Sequence, residues 1–252
     1  MRKFSKKTIF VYASTNKVYG DLKHLNYSEN KTRFQIKKKK SGFSEDNKLD
    51  FKSPYAYLAV EPSIAFAKQN KLEINWLPCV LEIPDFLGSA KVDDQRNIIE
   101  SNRNPHQWRR VKYSYMDCRR YANIRDITIR GPQKIWNTQL ISLALIWTKN
   151  NNYELTKLFI KYVFEKFWKR ELDLEDYNVI ISAFKHIGIN TNSFKEWSIN
   201  EGKKELEGIK ERSDERGVFG VPSYYFDNEL YWGREHLPMI EAKITNDYSK
   251  IF

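Results

Sequence analysis

The chain has 252 residues, 41% of them hydrophobic, and a formal net charge of +11, enough for one good-sized domain with an appendage. No apolar run approaches the roughly 20 residues that cross a bilayer. The two cysteines, Cys79 and Cys118, form no CxxC pair, which argues against both a disulfide framework and a zinc site. The charge is unevenly placed. Residues 1–48 hold 13 Lys+Arg against 4 Asp+Glu, a net of +9, whereas residues 49–252 hold 30 against 28, a net of only +2. The basic excess, including the run Lys37-Lys38-Lys39-Lys40, therefore belongs to the leading segment, and nucleic-acid binding is not the function this composition points to. A reducing cytoplasm is the expected setting, with no metal and no membrane partner.

Met1 to Lys7 is basic, but the apolar stretch after it, Ile9 to Ala13, is too short for the core of a signal peptide. Residues 8–21 read as a strand and loop ending Ser14-Thr-Asn-Lys-Val-Tyr-Gly-Asp21. This S-T-x-x-V-Y-G-D pattern resembles the nucleotide-sugar epimerases of the CDP-paratose/CDP-tyvelose type, and the likeness extends through Glu29, Thr32 and Arg33 to Asp50. The resemblance implies a sugar-binding role for Thr15 and continues into Ser53-Pro54-Tyr55. The lysine expected four residues after that tyrosine is Ala59, however, and no glycine-rich dinucleotide loop precedes Thr15. Without that loop no backbone can approach a pyrophosphate, and without the lysine nothing lowers the tyrosine pKa. Epimerase activity is the least expected function. Residues 1–48 are expected to be a basic, loosely packed remnant rather than an independent domain.

Leu49 and Phe51 alternate with Asp50 and Lys52, a brief strand signal. Ser53 then offers an N-cap hydroxyl and Pro54 suits the first helical position, so Tyr55 to Lys68 is predicted as a helix. Such a strand-to-helix junction puts Ser53 at a positive helix end suited to phosphate, carboxylate or thiolate. A plain structural cap is the competing reading. Leu72 to Leu77 alternates like a second strand, and the next hundred-odd residues are mainly helical: Arg109 to Ile124, Gln133 to Lys149, Tyr153 to Trp168 and Leu174 to His186, the last closed by Gly188. Ser193-Phe-Lys-Glu196 reads as a capping box for a charged helix ending near Ser213. Ser223 to Phe226 and Glu229 to Trp232 read as strands around an Asp227-Asn228 turn, preceded by Val221-Pro222, a candidate cis peptide, and followed by a helix over Gly233 to Lys243.

From Asp50 to about Ile244 the chain resembles the DsbA-like thioredoxin superfamily, and within it the 2-hydroxychromene-2-carboxylate isomerases and kappa-class glutathione transferases. The residues that carry the likeness are Asp50-Phe51-x-Ser53-Pro54-Tyr55-x-Tyr57-Leu58 in front, Gly217-Val-Phe-Gly-Val-Pro222 behind, and Trp232-Gly233 after them. Arg130-Gly131-Pro132 stands where relatives have a proline-containing loop. The resemblance implies an α/β fold: a thioredoxin-like domain over residues 49–252 with a large helical insertion at about 85–213, preceded by the basic segment. It implies glutathione as cofactor, a small conjugated or aromatic electrophile as partner, and a homodimer as in many relatives. Ser53 matches the serine that hydrogen-bonds the glutathione sulfur and so favours the thiolate. Pro54 supports that end. Val221 and the cis Pro222 receive the cysteinyl amide of glutathione.

The residues after Trp232-Gly233 depart from the pattern. Arg234 and Glu235 stand near the γ-glutamyl position, but His236 replaces an expected arginine. Ser53 and Ala56 occupy the two CxxC positions of the disulfide oxidoreductases, so dithiol exchange is excluded there. Tyr113 and Tyr115 are candidates for a substrate pocket or for core. The expected activity is glutathione-dependent isomerisation or transfer. A DsbA-like protein without catalysis, its first strand shortened, is the alternative.

Overall fold

The computed structural model describes residues 27–30, 33–36, 46–249 and 251, and the chain divides into two compact units, residues 1–42 and 43–252. In the first unit β1 (Tyr27–Asn30) pairs antiparallel with β2 (Arg33–Ile36), Tyr27 opposite Ile36 and Asn30 opposite Arg33. Thr15 and the Ser14–Asp21 signature lie outside the described residues. So does most of the segment for which loose packing is expected.

The second unit opens with β3 (Asp46–Leu49), α1 (Pro54–Asn70) and β4 (Asn75–Pro78). An insertion follows: α2 (Ile83–Leu87), a hairpin of β5 (Ala90–Val92) and β6 (Ile98–Ser101), then α3 (Pro105–Ile124), α4 (Gln139–Asn151), α5 (Tyr153–Trp168), α6 (Tyr177–Ile187), α7 (Phe194–Ile199) and α8 (Glu201–Glu215). β7 (Ser223–Phe226), β8 (Glu229–Trp232), a 3-10 turn (Arg234–His236) and α9 (Leu237–Thr245) complete it. The sheet order is β4-β3-β7-β8, with β3 parallel to β4 and antiparallel to β7. Strand, helix, parallel strand, helical insertion, hairpin and helix is the architecture expected from the sequence.

β3 takes in Asp46 to Lys48, residues that sequence reading placed in the leading segment, and leaves Asp50 to Lys52 to the turn before α1. All four of its residues are buried, although three are polar or charged. Asn47 bonds Ser63 of α1, which also pairs with the Tyr224 hydroxyl. Asp46, Lys48 and Asp50 alternate to the opposite side. Asp46 accepts from Asn75 Nδ2 at 2.8 Å and pairs with Arg216. On the sheet side facing α4 and α8, Leu77 packs with Leu143, Ile146, Leu206 and Ile209. On the other, Tyr224, Tyr231, Leu237 and Ile240 pack with Phe66. The largest core joins α1 to the insertion through Phe51, whose ring lies 4.8 Å from Phe164 and 6.2 Å from Phe159.

Pro62 sits inside α1 and has no N–H for the carbonyl of Leu58 four residues earlier. Arg125, just past the end of α3, donates to that carbonyl at 2.7 Å and repairs the gap. Arg125→Ala is expected to lower stability by roughly 1–2 kcal/mol, since a buried carbonyl loses a charged donor; a thermal melt reads it, and an unchanged midpoint would remove this role.

Several boundaries differ from expectation for long-range reasons. Ser193 has φ 63° and makes no side-chain cap, and the helix breaks at Asn200 into α7 and α8. The capping box forms instead at Asn104 and Gln107, at the start of α3. Asp173 binds the amides of Glu175 and Asp176 in a turn, so α6 starts at Tyr177, capped by Asp176. α4 begins at Gln139 rather than Gln133. The expected turns hold: Gly188 caps α6 at φ 84°, and Asp227 and Asn228 take φ 48° and 60°.

Candidate functional site

β3 ends against the turn that enters α1, and this junction organises the site. Ser53 N donates to Asp50 O at 2.9 Å, and Ser53 caps α1 by accepting from Ala56 N at 3.2 Å. The residue is 7% exposed, and its hydroxyl donates to no group among the described residues. A hydroxyl has one proton and two lone pairs, so the cap uses an acceptor and leaves the donor available at a positive helix end. Pro54 occupies the first turn. Tyr55 turns away: its hydroxyl reaches Asp117 Oδ2 at 3.0 Å and Ser114 O at 3.3 Å, tying α1 to α3. Burial and the Asp117 carboxylate raise its pKa, the reverse of what a proton-abstracting tyrosine needs.

The antiparallel register sets Lys48 opposite Ser223, so the chain running back from Ser223 carries Pro222 and Val221 towards the end of β3. The Val221–Pro222 bond is cis, as expected. Gly233 N donates to Pro222 O at 2.9 Å, which ties this loop to the start of the 3-10 turn bearing Arg234 and Glu235. Gly220 leaves room for the exposed Trp232 ring, since a Cβ there would meet Trp232 Nε1 at 2.8 Å and the ring would have to shift. The Arg234 guanidinium lies 4.1 Å from the centre of the Tyr121 ring, and Glu235 is exposed beside Gly233. His236 Nδ1 is buried without a hydrogen-bond partner among the described residues.

Beside this junction lies a cavity of about 520 Å³. Its walls include Lys52, Cys79, Leu81, Trp136, Phe219 and Lys210, but not Ser53, Pro54, Val221, Pro222, Arg234 or Glu235. The cavity thus meets the expected site through Lys52, the residue before Ser53, and through Phe219, which precedes the cis-proline loop. Tyr115 packs against the core, and Tyr113 is exposed on α3; neither lines the cavity. Cys79 is in the wall, but burial pushes its thiol up to about 12, so it is no nucleophile near neutral pH. Cys118 is fully buried.

Sequence reasoning missed the group that joins these parts. Asp50, 1% exposed, accepts from Lys52 N at 3.1 Å and Leu81 N at 2.7 Å, and its Oδ2 lies 3.3 Å from Lys52 Nζ. Lys52 Nζ also donates to Thr138 Oγ1 at 3.1 Å. Burial raises the Asp50 pKa, opposed by Lys52 and the two amides. Asp50 and Lys52 had looked like the polar half of an alternating strand, and Thr138, 86 residues away from Lys52, gave no signal.

Among curated proteins, the 2-hydroxychromene-2-carboxylate isomerase of Sphingobium xenophagum is 23% identical over 203 residues, 79% of this chain and 96% of the relative. A shorter match is to the CDP-paratose 2-epimerase of Salmonella typhi, 44% identical over 55 residues, 22% of this chain and only 16% of that protein. Among solved structures, a 2-hydroxychromene-2-carboxylate isomerase superposes with a TM-score of 0.62 at 18% identity, covering 80% of this chain and 94% of the other. The cytosolic disulfide reductase DsbM from Pseudomonas aeruginosa with GSH superposes with a TM-score of 0.55 at 11% identity, over 80% and 99% of the two chains. These identities establish likeness of fold. Residues 47–245 match the DSBA-like thioredoxin domain, and the chain belongs to that family.

Proposed function

We propose that this protein binds glutathione at the Ser53 end of α1 and uses its thiolate to isomerise, or to form a conjugate with, a small conjugated or aromatic electrophile. The observation that carries this reading is the Ser53 hydroxyl: it caps α1 as acceptor and keeps its proton for a ligand. A sulfur accepting that proton at a helix N-terminus is favoured as thiolate, which supplies a nucleophile near neutral pH. Val221 and cis Pro222 would pair with the cysteinyl amide in the manner of an added strand. Pro54, Arg234 and Glu235 would frame the γ-glutamyl end, with the Glu235 carboxylate facing the ammonium. The electrophile would occupy the neighbouring cavity, walled by Trp136 and Phe219. Likeness to isomerases over most of their length, and to a reductase solved with GSH, supports the same reading. A cytoplasmic homodimer is the proposed form. Among the described residues no helix is long and apolar enough to cross a membrane.

A thermal melt with and without millimolar glutathione tests the binding half. A ligand at about 100 times its dissociation constant adds roughly 2.7 kcal/mol, which raises the midpoint by roughly 5–10 °C in a domain of this size. Ser53→Ala is expected to shrink that rise and to lower a glutathione-dependent rate by roughly tenfold or more, because the thiolate loses its donor. A cooperative melt that glutathione leaves in place would favour the DsbA-like protein without catalysis. An unchanged rate in Ser53→Ala would remove the thiolate role.

A further inference from the structure

We propose that Lys52 is a second catalytic residue of this site, whose ammonium binds the carbonyl oxygen of a conjugated carbonyl substrate and stabilises the negative charge that develops there. This rests on the glutathione reading above and deepens it by naming a residue that would act on the electrophile. Three observations carry it. Lys52 lines the cavity and directly precedes Ser53, so its charge and the proposed thiolate are offered from neighbouring positions of one turn. Its side chain is only 7% exposed and is held from two sides, by Asp50 Oδ2 at 3.3 Å and Thr138 Oγ1 at 3.1 Å. An ammonium has three protons, and these two partners take two of them. One donor is left, on a group already desolvated and fixed in place, which is the arrangement that stabilises developing charge with little reorganisation.

Part of the wall suits a flat, conjugated carbonyl compound, while Glu82, Glu207, Lys210 and Asp214 make the rest of it charged. Trp136 and Phe219 offer aromatic faces, and Leu81 and Pro84 offer apolar ones. Asp50 is sequestered by Leu81 N and Lys52 N, so its own charge is satisfied on the protein side, away from a ligand. In the step, the glutathione sulfur bonds to the β-carbon, the carbon–carbon π pair shifts between the α-carbon and the carbonyl carbon, and the carbonyl π pair moves onto oxygen, where the Lys52 ammonium holds the enolate charge. The former double bond, now single, rotates. The electron pair returns, the carbon–sulfur bond breaks and the thiolate leaves. No proton or electron is consumed.

The test uses the full chain, glutathione and (Z)-4-phenylbut-3-en-2-one, following conversion to the E isomer by absorbance. Lys52→Met is expected to keep the glutathione-induced rise in melting temperature while kcat falls roughly 10- to 100-fold. Lys52→Arg, which keeps a cationic donor, is expected to recover most of the loss. If Lys52→Met does not fold because Asp50 is left unpaired, Lys52→Met/Asp50→Asn supplies a neutral pair for the same comparison. Wild-type kcat in the Met variants, or glutathione binding without isomerisation of this enone by the wild type, overturns the Lys52 role and leaves the glutathione reading standing. Absence of any glutathione-induced shift in the wild type overturns the reading beneath it, and the proposal falls with it.

Discussion

Replacing Asp50 by alanine is expected to destabilise the protein by roughly 3–5 kcal/mol, the range for breaking a buried ion pair from one side. The Lys52 ammonium, 7% exposed, would lose its carboxylate, and the amides of Leu81 and Lys52 would lose their acceptor. In a domain of about 200 residues that is a fall of roughly 10 °C or more in melting temperature. Asp50→Asn, which retains the shape and one acceptor oxygen, is expected to lose less. Asp50→Ala/Lys52→Met is expected to regain part of the loss, because no buried charge is left without a partner. A single-site loss below about 1 kcal/mol would show that water reaches the pair and replaces the carboxylate.

The opposite sign is expected at Lys48. This lysine is 2% exposed on the central strand β3, and among the described residues its amine has no hydrogen-bond or ion-pair partner. Burial lowers its pKa to about 8, against the pull of Asp46. The unfolded chain holds that proton until about 10.4, so below pH 8 the folded state carries a charge it resists, at a cost of up to about 3 kcal/mol. Between those two pH values the unfolded chain binds more protons, so stability rises with pH. Lys48→Met keeps the volume and removes the charge. It is expected to melt about 5–10 °C higher than the wild type at pH 7, with the gap closing as pH climbs from 8 towards 10.4. A gap that is absent at pH 7, or that persists unchanged to high pH, would show that the amine is solvated in the folded state.

Features governed by neighbouring residues were legible in the sequence. The Ser53-Pro54 cap, the Asp227-Asn228 turn and the Gly188 stop depend on local backbone preferences, and each stands where the residues put it. Features fixed by distant partners were not. Asp46, Asn47 and Lys48 have little of a strand former's character and are ordered by β4 on one side and β7 on the other. Ser193 loses its capping role because Phe194 is drawn into contact with Trp147 and Phe184, with ring centres 5.7 and 5.0 Å apart. The β5–β6 hairpin is anchored by Val92 N donating to Gln133 O, a contact across 41 positions that no local window contains. The candidate site divides in the same way. Ser53 and Val221-Pro222 stood out in their own motifs, whereas the cavity beside them takes its lining from four separate stretches of chain.

That lining has a consequence for how such a protein diversifies. Under the proposed function the thiol-handling groups sit at the start of α1 and on the proline loop, outside the helical insertion. Much of the wall meeting the electrophile, Trp136, Asn137, Leu206 and Lys210 among it, is contributed by the insertion. Substitutions there are expected to reshape the chamber while leaving the Ser53 end of α1 in place. Under the proposed function the sulfur-handling groups and much of the wall that would meet the electrophile thus stand on separate segments of the chain, so a change in the second need not disturb the first.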